Sequence, residues 1–160
     1  MSINLFKQMK KLVVYVDMDG VLCDYRSAYH QKVLENPDIK YPQSQYGFFR
    51  NLSPIEGALP AIAYLKKQKT VDLYLLTAPS IRNPLSYTEK REWVENHLGM
   101  SMVERLIISP HKGLNKGDYL IDDNTEGSGQ EDFEGELIHF GSDQFPAWDE
   151  VIHYLSKAVV

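Results

Sequence analysis

The chain has a single cysteine, Cys23, so it can form no disulfide with itself. That scarcity fits a reducing compartment. No run approaches the ~20 apolar residues of a membrane-spanning helix. The opening residues, MSINLFKQMKK, lack an apolar stretch of signal-peptide length. Positive charge is also short: 17 Lys and Arg against 22 Asp and Glu leave a net charge of −5, which argues against a general nucleic-acid-binding surface. The small clusters Lys7, Lys10, Lys11 and Lys66, Lys67, Lys69 read as solvated helix faces. There is no internal repeat and no low-complexity segment. The expectation is a soluble cytoplasmic protein whose partner is a small molecule, with no extended nucleic acid and no membrane. Oligomeric state is open, and a homodimer is compatible with the sequence.

What is present is enough for one domain with a real core: 160 residues, 43% of them hydrophobic. Short apolar runs rich in β-branched residues predict strands at 12–16, 71–76, 106–108, 119–121 and 136–140. Helical spacing predicts helices at 58–67, 88–98 and 148–155. In the first, Pro60 falls near the start, where proline is tolerated. The second has Thr88 as its cap and Gly99 past its end. The third gathers Trp148, Val151, Ile152 and Leu155 on one face. Wholly apolar strands separated by helices indicate a parallel sheet covered on both faces. The stretch 125–135, TEGSGQEDFEG, reads as a mobile polar loop.

In such sheets ligands bind at the carboxyl ends of the strands. The first strand ends in Asp17, Met18, Asp19, Gly20. The second ends in Thr77, Ala78, Pro79, and the fourth in Asp122, Asp123, Asn124. Lys112 follows the third. One sheet edge would then hold four carboxylates, a hydroxyl and an ammonium. At ~4 Å and an effective dielectric of ~20, each carboxylate pair costs about 4 kcal/mol. One lysine cannot offset that, whereas a hard divalent cation can. An all-oxygen site suits Mg²⁺, which keeps waters and shares a phosphate with the protein. Metal, lysine and threonine together match the oxygens of a transferring phosphoryl group. A carboxylate is left to act as nucleophile.

Blander accounts exist for each part. A lone DxDG marks many turns, and a calcium loop needs further acidic ligands where Val21, Leu22 and Cys23 stand. An isolated Asp-Asp pair is usually surface. Here both acidic pairs end apolar strands, where an idle carboxylate carries an uncompensated desolvation cost. The histidines, His30, His97, His111, His139 and His153, show no metal spacing. His111 belongs at the rim of the site beside Lys112, and the rest read as ordinary. Cys23 reads as a small core residue.

DMDGV, LLT, Lys112 and LIDD, in this order, resemble the four motifs of the haloacid dehalogenase (HAD) superfamily. More closely, DMDGVLCDY, LLTAPS, KREWVENHLG and HKGLNKGDYLIDD are similar to the 5′(3′)-deoxyribonucleotidase family, cytosolic type C. The resemblance spans about 12–124 and extends more weakly to FPAWDEVIHYL. It implies an α/β, HAD-like Rossmannoid three-layer sandwich with a central parallel sheet. A small helical cap at about 24–59 would be inserted after the first strand, into a core of about 1–23 and 60–160.

The resemblance also implies roles. Asp17 is the nucleophile. Asp19 is acid and then base, and its carbonyl also binds Mg²⁺. Thr77 and Lys112 hold phosphate oxygens, and Lys90 contacts phosphate. Asp123 is the direct metal ligand of the fourth motif, with Asp122 orienting Lys112 or an outer water. Gly20 keeps the backbone beside the nucleophile accessible. The cap is rich in aromatics (Tyr25, Tyr29, Tyr41, Tyr46, Phe48, Phe49), which either stack on a nucleobase or form the cap's own core; Tyr25 occupies the base-stacking position. The chain departs from the family in a shorter cap and in Ala78, where the family often has serine; the backbone N–H there can still donate. The implied activity is Mg²⁺-dependent hydrolysis of (deoxy)ribonucleoside monophosphates through an aspartyl-phosphate. The alternatives are the same chemistry on another phosphomonoester or a polynucleotide end, and a non-catalytic phospholigand-binding scaffold.

Overall fold

The computed structural model describes residues 10–158. Five parallel strands form one sheet in the order β3-β2-β1-β4-β5. They are β1 (Leu12–Val16), β2 (Val71–Thr77), β3 (Leu106–Ile108), β4 (Tyr119–Asp122) and β5 (Glu136–His139). β1 is central, with Leu12 opposite Val71 on one side and Val14 opposite Tyr119 on the other. That placement explains its unbroken apolar sequence, since neither face of a central strand meets water.

The helices are α1 (Tyr25–Glu35), α2 (Ala58–Lys67), α3 (Leu85–Leu98), the short α4 (Met100–Val103) and α5 (Trp148–Ser156). The larger core joins Val14 and Val16 of β1 and Leu73 and Leu75 of β2 to Ile62 and Leu65 of α2, Trp93 of α3 and Val151 and Leu155 of α5. The residues between, Tyr15, Leu76 and Leu120, form a smaller cluster with Phe133. The two faces are thus covered unequally. β3 to β4 and β4 to β5 are joined by 3₁₀ turns, at Lys112–Leu114 and Gln130–Asp132, rather than by α-helices.

Three expectations are corrected. α3 starts at Leu85, so Thr88 lies inside it and caps nothing; Asn83 Oδ1 instead accepts from Leu85 N at 3.0 Å. Loop 125–135 is tied down: Ser128 O accepts from Lys112 N at 2.7 Å, and Gln130 is buried. Lys10 and Lys11 precede β1 and are not on a helix, whereas Lys66 and Lys67 are exposed in the last turn of α2. Lys7 and the opening stretch through residue 9 lie outside the described residues.

The segment 24–59 carries α1, capped by Asp24 accepting from Ser27 N at 3.0 Å, and a 3₁₀ turn at Pro42–Ser44. Its Phe48, Phe49 and Leu52 belong to the larger core, so it shares that core instead of building its own. Among the described residues no helix is long and apolar enough to cross a membrane.

Candidate active site

Backbone geometry at the end of β1 sets the site. Asp17 N donates to Ile121 O at 2.9 Å and so continues the sheet beyond the last paired residue. The chain then folds back. Met18 O accepts from the amides of Val21, Leu22 and Cys23 at 3.2, 2.7 and 2.9 Å. Gly20 has φ +79, and a Cβ built on it would lie 2.2 Å from Asp123 Oδ2. Only glycine fits there, for conformation and for space. Trp148 Nε1 donates to Val21 O at 3.0 Å, which pins the same turn from α5.

The expected residues converge. Lys112 Nζ is 2.8 Å from Asp17 Oδ1 and also bonds Asp122 Oδ2. Asp122 Oδ1 accepts from Asn124 N at 2.9 Å, and both its oxygens lie 3.3 Å from Gln130 Nε2. On the other side Lys90, from α3, donates to Asp19 Oδ2 at 2.7 Å and to Thr77 Oγ1 at 2.8 Å. Thr77 is fully buried and Lys90 only 1% exposed. The neighbouring Glu89 accepts from Gly47 N at 2.6 Å and Phe49 N at 3.0 Å. One turn of α3 therefore reaches both the β-strand ends and the 24–59 segment.

Electrostatics follow from crowding. Burial raises the Asp122 carboxyl above its usual range, and the Asp17 charge adds to that. Burial pushes Asp123 up to about 6, helped by Asp17 and Asp122. Asp19 is raised first by burial, partly offset by Lys90. Burial pulls Lys112 down, but Asp17 and Asp122 outweigh it and the net shift is upward.

Oxygens of Asp17, Asp122 and Asp123 lie within 4.8 Å of one another. Three hard oxygen donors, two of them (Asp122 and Asp123) already raised above the usual carboxylate range, fit a divalent cation such as Mg²⁺. The carboxylate of Asp19 stands outside this cluster, turned to Lys90.

A cleft of about 840 Å³ opens beside these groups. Asp19 and Asp123 line it, with Tyr25, Tyr29 and Phe49 on the 24–59 side and Ala78 on the β2 side. The rings of Tyr25 and Tyr29 are 5.9 Å apart and near-parallel. Burial and the Asp19 charge push the Tyr25 hydroxyl up to about 12, so it stays neutral. Phe48 packs edge-on behind Tyr25 at 5.4 Å. Tyr41 and Tyr46 are exposed and do not line the cleft.

Several residues escaped the sequence reading. His139, which reads as ordinary in the sequence, lines the cleft, and its Nε2 is 3.2 Å from Asp123 O; it is the last residue of β5 and so sits at a strand carboxyl end, where ligands bind in such sheets. Glu89, Gln130 and Gln43 carried no signal in the sequence. His111 pairs with Asp132 at 3.3 Å and does not line the cleft.

A parallel sheet with aspartate pairs ending β1 and β4, a threonine ending β2 and two buried lysines between them defines a HAD-type hydrolase. In keeping with that, the fold resembles a hydrolase from Streptococcus pneumoniae TIGR4, with TM-score 0.58 over 92% of this chain and 100% of that one, at 11% identity. The family profile of 5′ nucleotidase, deoxy (pyrimidine), cytosolic type C protein matches residues 39–146. A protein named putative 5′(3′)-deoxyribonucleotidase from Vibrio phage KVP40 is 41% identical, over 94% of this chain and 88% of its own length. The cytosolic 5′(3′)-deoxyribonucleotidase of Homo sapiens is 30% identical, over 87% and 78%. The chain belongs to the cytosolic type C 5′(3′)-deoxyribonucleotidase family, a family of phosphoric monoester hydrolases.

Proposed function

We propose that the protein is a Mg²⁺-dependent phosphatase that hydrolyses (deoxy)ribonucleoside monophosphates to nucleoside and phosphate. The observation that carries this is the buried Asp17. Its Oδ1 is held by Lys112 beside the Asp122 and Asp123 carboxylates, and Asp123 and Asp19 in turn line a cleft that carries the rings of Tyr25, Tyr29 and Phe49.

In the first step Asp17 Oδ2, free of the lysine, attacks phosphorus, and the bond to the ester oxygen breaks. Asp19 gives its proton to the leaving nucleoside oxygen; its raised carboxyl suits that role. In the second step Asp19 takes a proton from water, which attacks the aspartyl-phosphate, releases phosphate and restores Asp17. Thr77, Lys90 and Lys112 hold the phosphoryl oxygens, as does the backbone N–H of Ala78. Asp17, Asp122, Asp123 and the Asp19 carbonyl would hold Mg²⁺. When bound, the ion supplies charge neutralisation among the carboxylates and on the phosphoryl oxygens. The segment 24–59 acts as the cap, with Tyr25 stacking on the base.

The test is phosphate release from a panel of nucleoside 5′- and 3′-monophosphates and sugar phosphates. It is run with Mg²⁺, with EDTA and with Asp17→Asn. Release from nucleotides that needs Mg²⁺ and vanishes in Asp17→Asn is expected. An active Asp17→Asn enzyme removes Asp17 as nucleophile, and release from sugar phosphates alone discards the substrate.

A further inference from the structure

Gln43 lies in the 3₁₀ turn Pro42–Ser44 and lines the cleft on the same side as Tyr25, Tyr29 and Phe49. Its side-chain Oε1 is removed from solvent yet accepts no hydrogen bond from the protein. Buried polar atoms are nearly always paired, and an unpaired one costs about 1–3 kcal/mol. Among the described residues only Asp19 Oδ1 and His111 Nδ1 share that condition. Asp19 belongs to the proposed chemistry, and His111 does not line the cleft.

The position of Gln43 is also fixed from behind. Its backbone O accepts from Asn83 Nδ2 at 2.8 Å, and Asn83 is itself buried, with Oδ1 accepting from Leu85 N. The turn is thereby fastened to the wall between β2 and α3. The backbone at Gln43 is held this way, so a ligand that meets the carboxamide has only the side-chain torsions left to order.

We propose that the Gln43 carboxamide hydrogen-bonds the Watson–Crick edge of the substrate's nucleobase and so sets specificity for nucleotides. This rests on the nucleotide reading above. A neutral carbonyl oxygen repels a phosphate and offers nothing to an apolar group, but it pairs with a base N–H. The amide NH₂ beside it donates to the adjacent ring nitrogen or carbonyl. Because an amide presents donor and acceptor side by side and can turn over, it matches the amino and ring nitrogen of cytosine or the imino and carbonyl of thymine.

The experiment measures kcat/KM on deoxynucleoside 5′-monophosphates of the common bases and on deoxyribose 5-phosphate, which lacks only the base. Wild type is compared with Gln43→Leu and Gln43→Glu. For Gln43→Leu, the loss on nucleotides should exceed any change on deoxyribose 5-phosphate by about tenfold, mainly through KM. Gln43→Glu keeps the acceptor and turns the donor into a second acceptor, so it should shift preference toward guanine, whose ring N–H and amino group donate side by side, and away from cytosine and thymine, which each set an acceptor beside the donor. Equal losses on both substrate types would make Gln43 merely structural and overturn the proposal. So would a Gln43→Leu enzyme that keeps the full wild-type preference, since a water would then satisfy Oε1. Failure of the underlying reading looks different: wild type itself would not prefer nucleotides over deoxyribose 5-phosphate, and the base contact would fall with it.

Discussion

Lys90 Nζ lies 2.7 Å from Asp19 Oδ2 across 71 residues of sequence, and 2.8 Å from Thr77 Oγ1. One buried ammonium thus links the ends of β1 and β2 to α3. Lys90→Met keeps the stem, which brings Nζ to 5.1 Å from the Phe49 ring centre, and deletes only the charge. Asp19 then loses the donor that holds it, and the phosphoryl group loses a cation. The expected result is a fall in kcat/KM on the preferred nucleotide of about a hundredfold or more, with the circular dichroism spectrum unchanged. Wild-type kinetics in this variant would remove Lys90 from the site.

Lys112 answers two carboxylates at once, Asp17 and Asp122, both buried. Deleting one partner from such a group leaves uncompensated buried charge, at about 3–5 kcal/mol. Lys112→Met should therefore unfold at lower urea than wild type in EDTA. Added Mg²⁺ supplies positive charge to the same carboxylates and should recover part of the loss. Urea titrations with and without Mg²⁺ check both statements; an equal midpoint for variant and wild type in EDTA would contradict them.

The strand ends were legible because desolvation makes them so. A carboxylate at the end of a buried strand is expensive, so Asp17, Asp19, Asp122 and Asp123 stand out against LVVYV and YLID. The strands themselves were legible for the same reason, and β1 is found at the residues its apolar run predicts. The start of α3 was not. Its cap position is Pro84, which offers no side-chain bond, and the first turn is instead held by Asn83 Oδ1 accepting from Leu85 N, a contact that periodicity does not encode. Nor were Glu89, whose partner is a loop amide 42 residues away, and Gln130, whose partner carboxylate is 8 residues away but outside any repeating pattern. The loop 125–135 looks mobile by composition, yet Phe133 completes the smaller core and Gln130 reaches Asp122. Composition reports what a segment can bury, not what buries it.

The Asp123 carboxyl, pushed up to about 6 from the ~3.9 of a free aspartate, ties stability to pH. A group with its folded value raised holds its proton more tightly when folded. Its charge therefore weakens the metal-free fold above about pH 6, and protonation relieves that as pH falls through 6. Mg²⁺ needs the ionised form, so proton and ion compete. The rise in Tm on adding Mg²⁺ should be larger at about pH 7.5 than at about pH 5.5. In Asp123→Asn the metal-free Tm should gain less on acidification than in wild type. Thermal melts at the two pH values, with Mg²⁺ and with EDTA, measure this, and a Mg²⁺ effect independent of pH would contradict it.

Gly20 is the position where backbone and metal chemistry meet. Its φ of +79 disfavours any side chain, and the Cβ of an alanine would fall 2.2 Å from Asp123 Oδ2 and 2.5 Å from its Cγ. The carboxylate must move, and with it goes one of the three clustered oxygens. Strain of a non-glycine residue in this region costs about 1 kcal/mol or more, so Gly20→Ala should unfold earlier even in EDTA. The separate consequence concerns the ion. If Asp123 is displaced, the Mg²⁺-dependent rise in Tm should shrink and the Mg²⁺ concentration for half-maximal phosphate release should increase. A purely conformational penalty would lower Tm equally with and without Mg²⁺ and leave the Mg²⁺ dependence of phosphate release where it is in wild type. Comparing the two titrations therefore separates the glycine's role in the turn from its role in making room for Asp123.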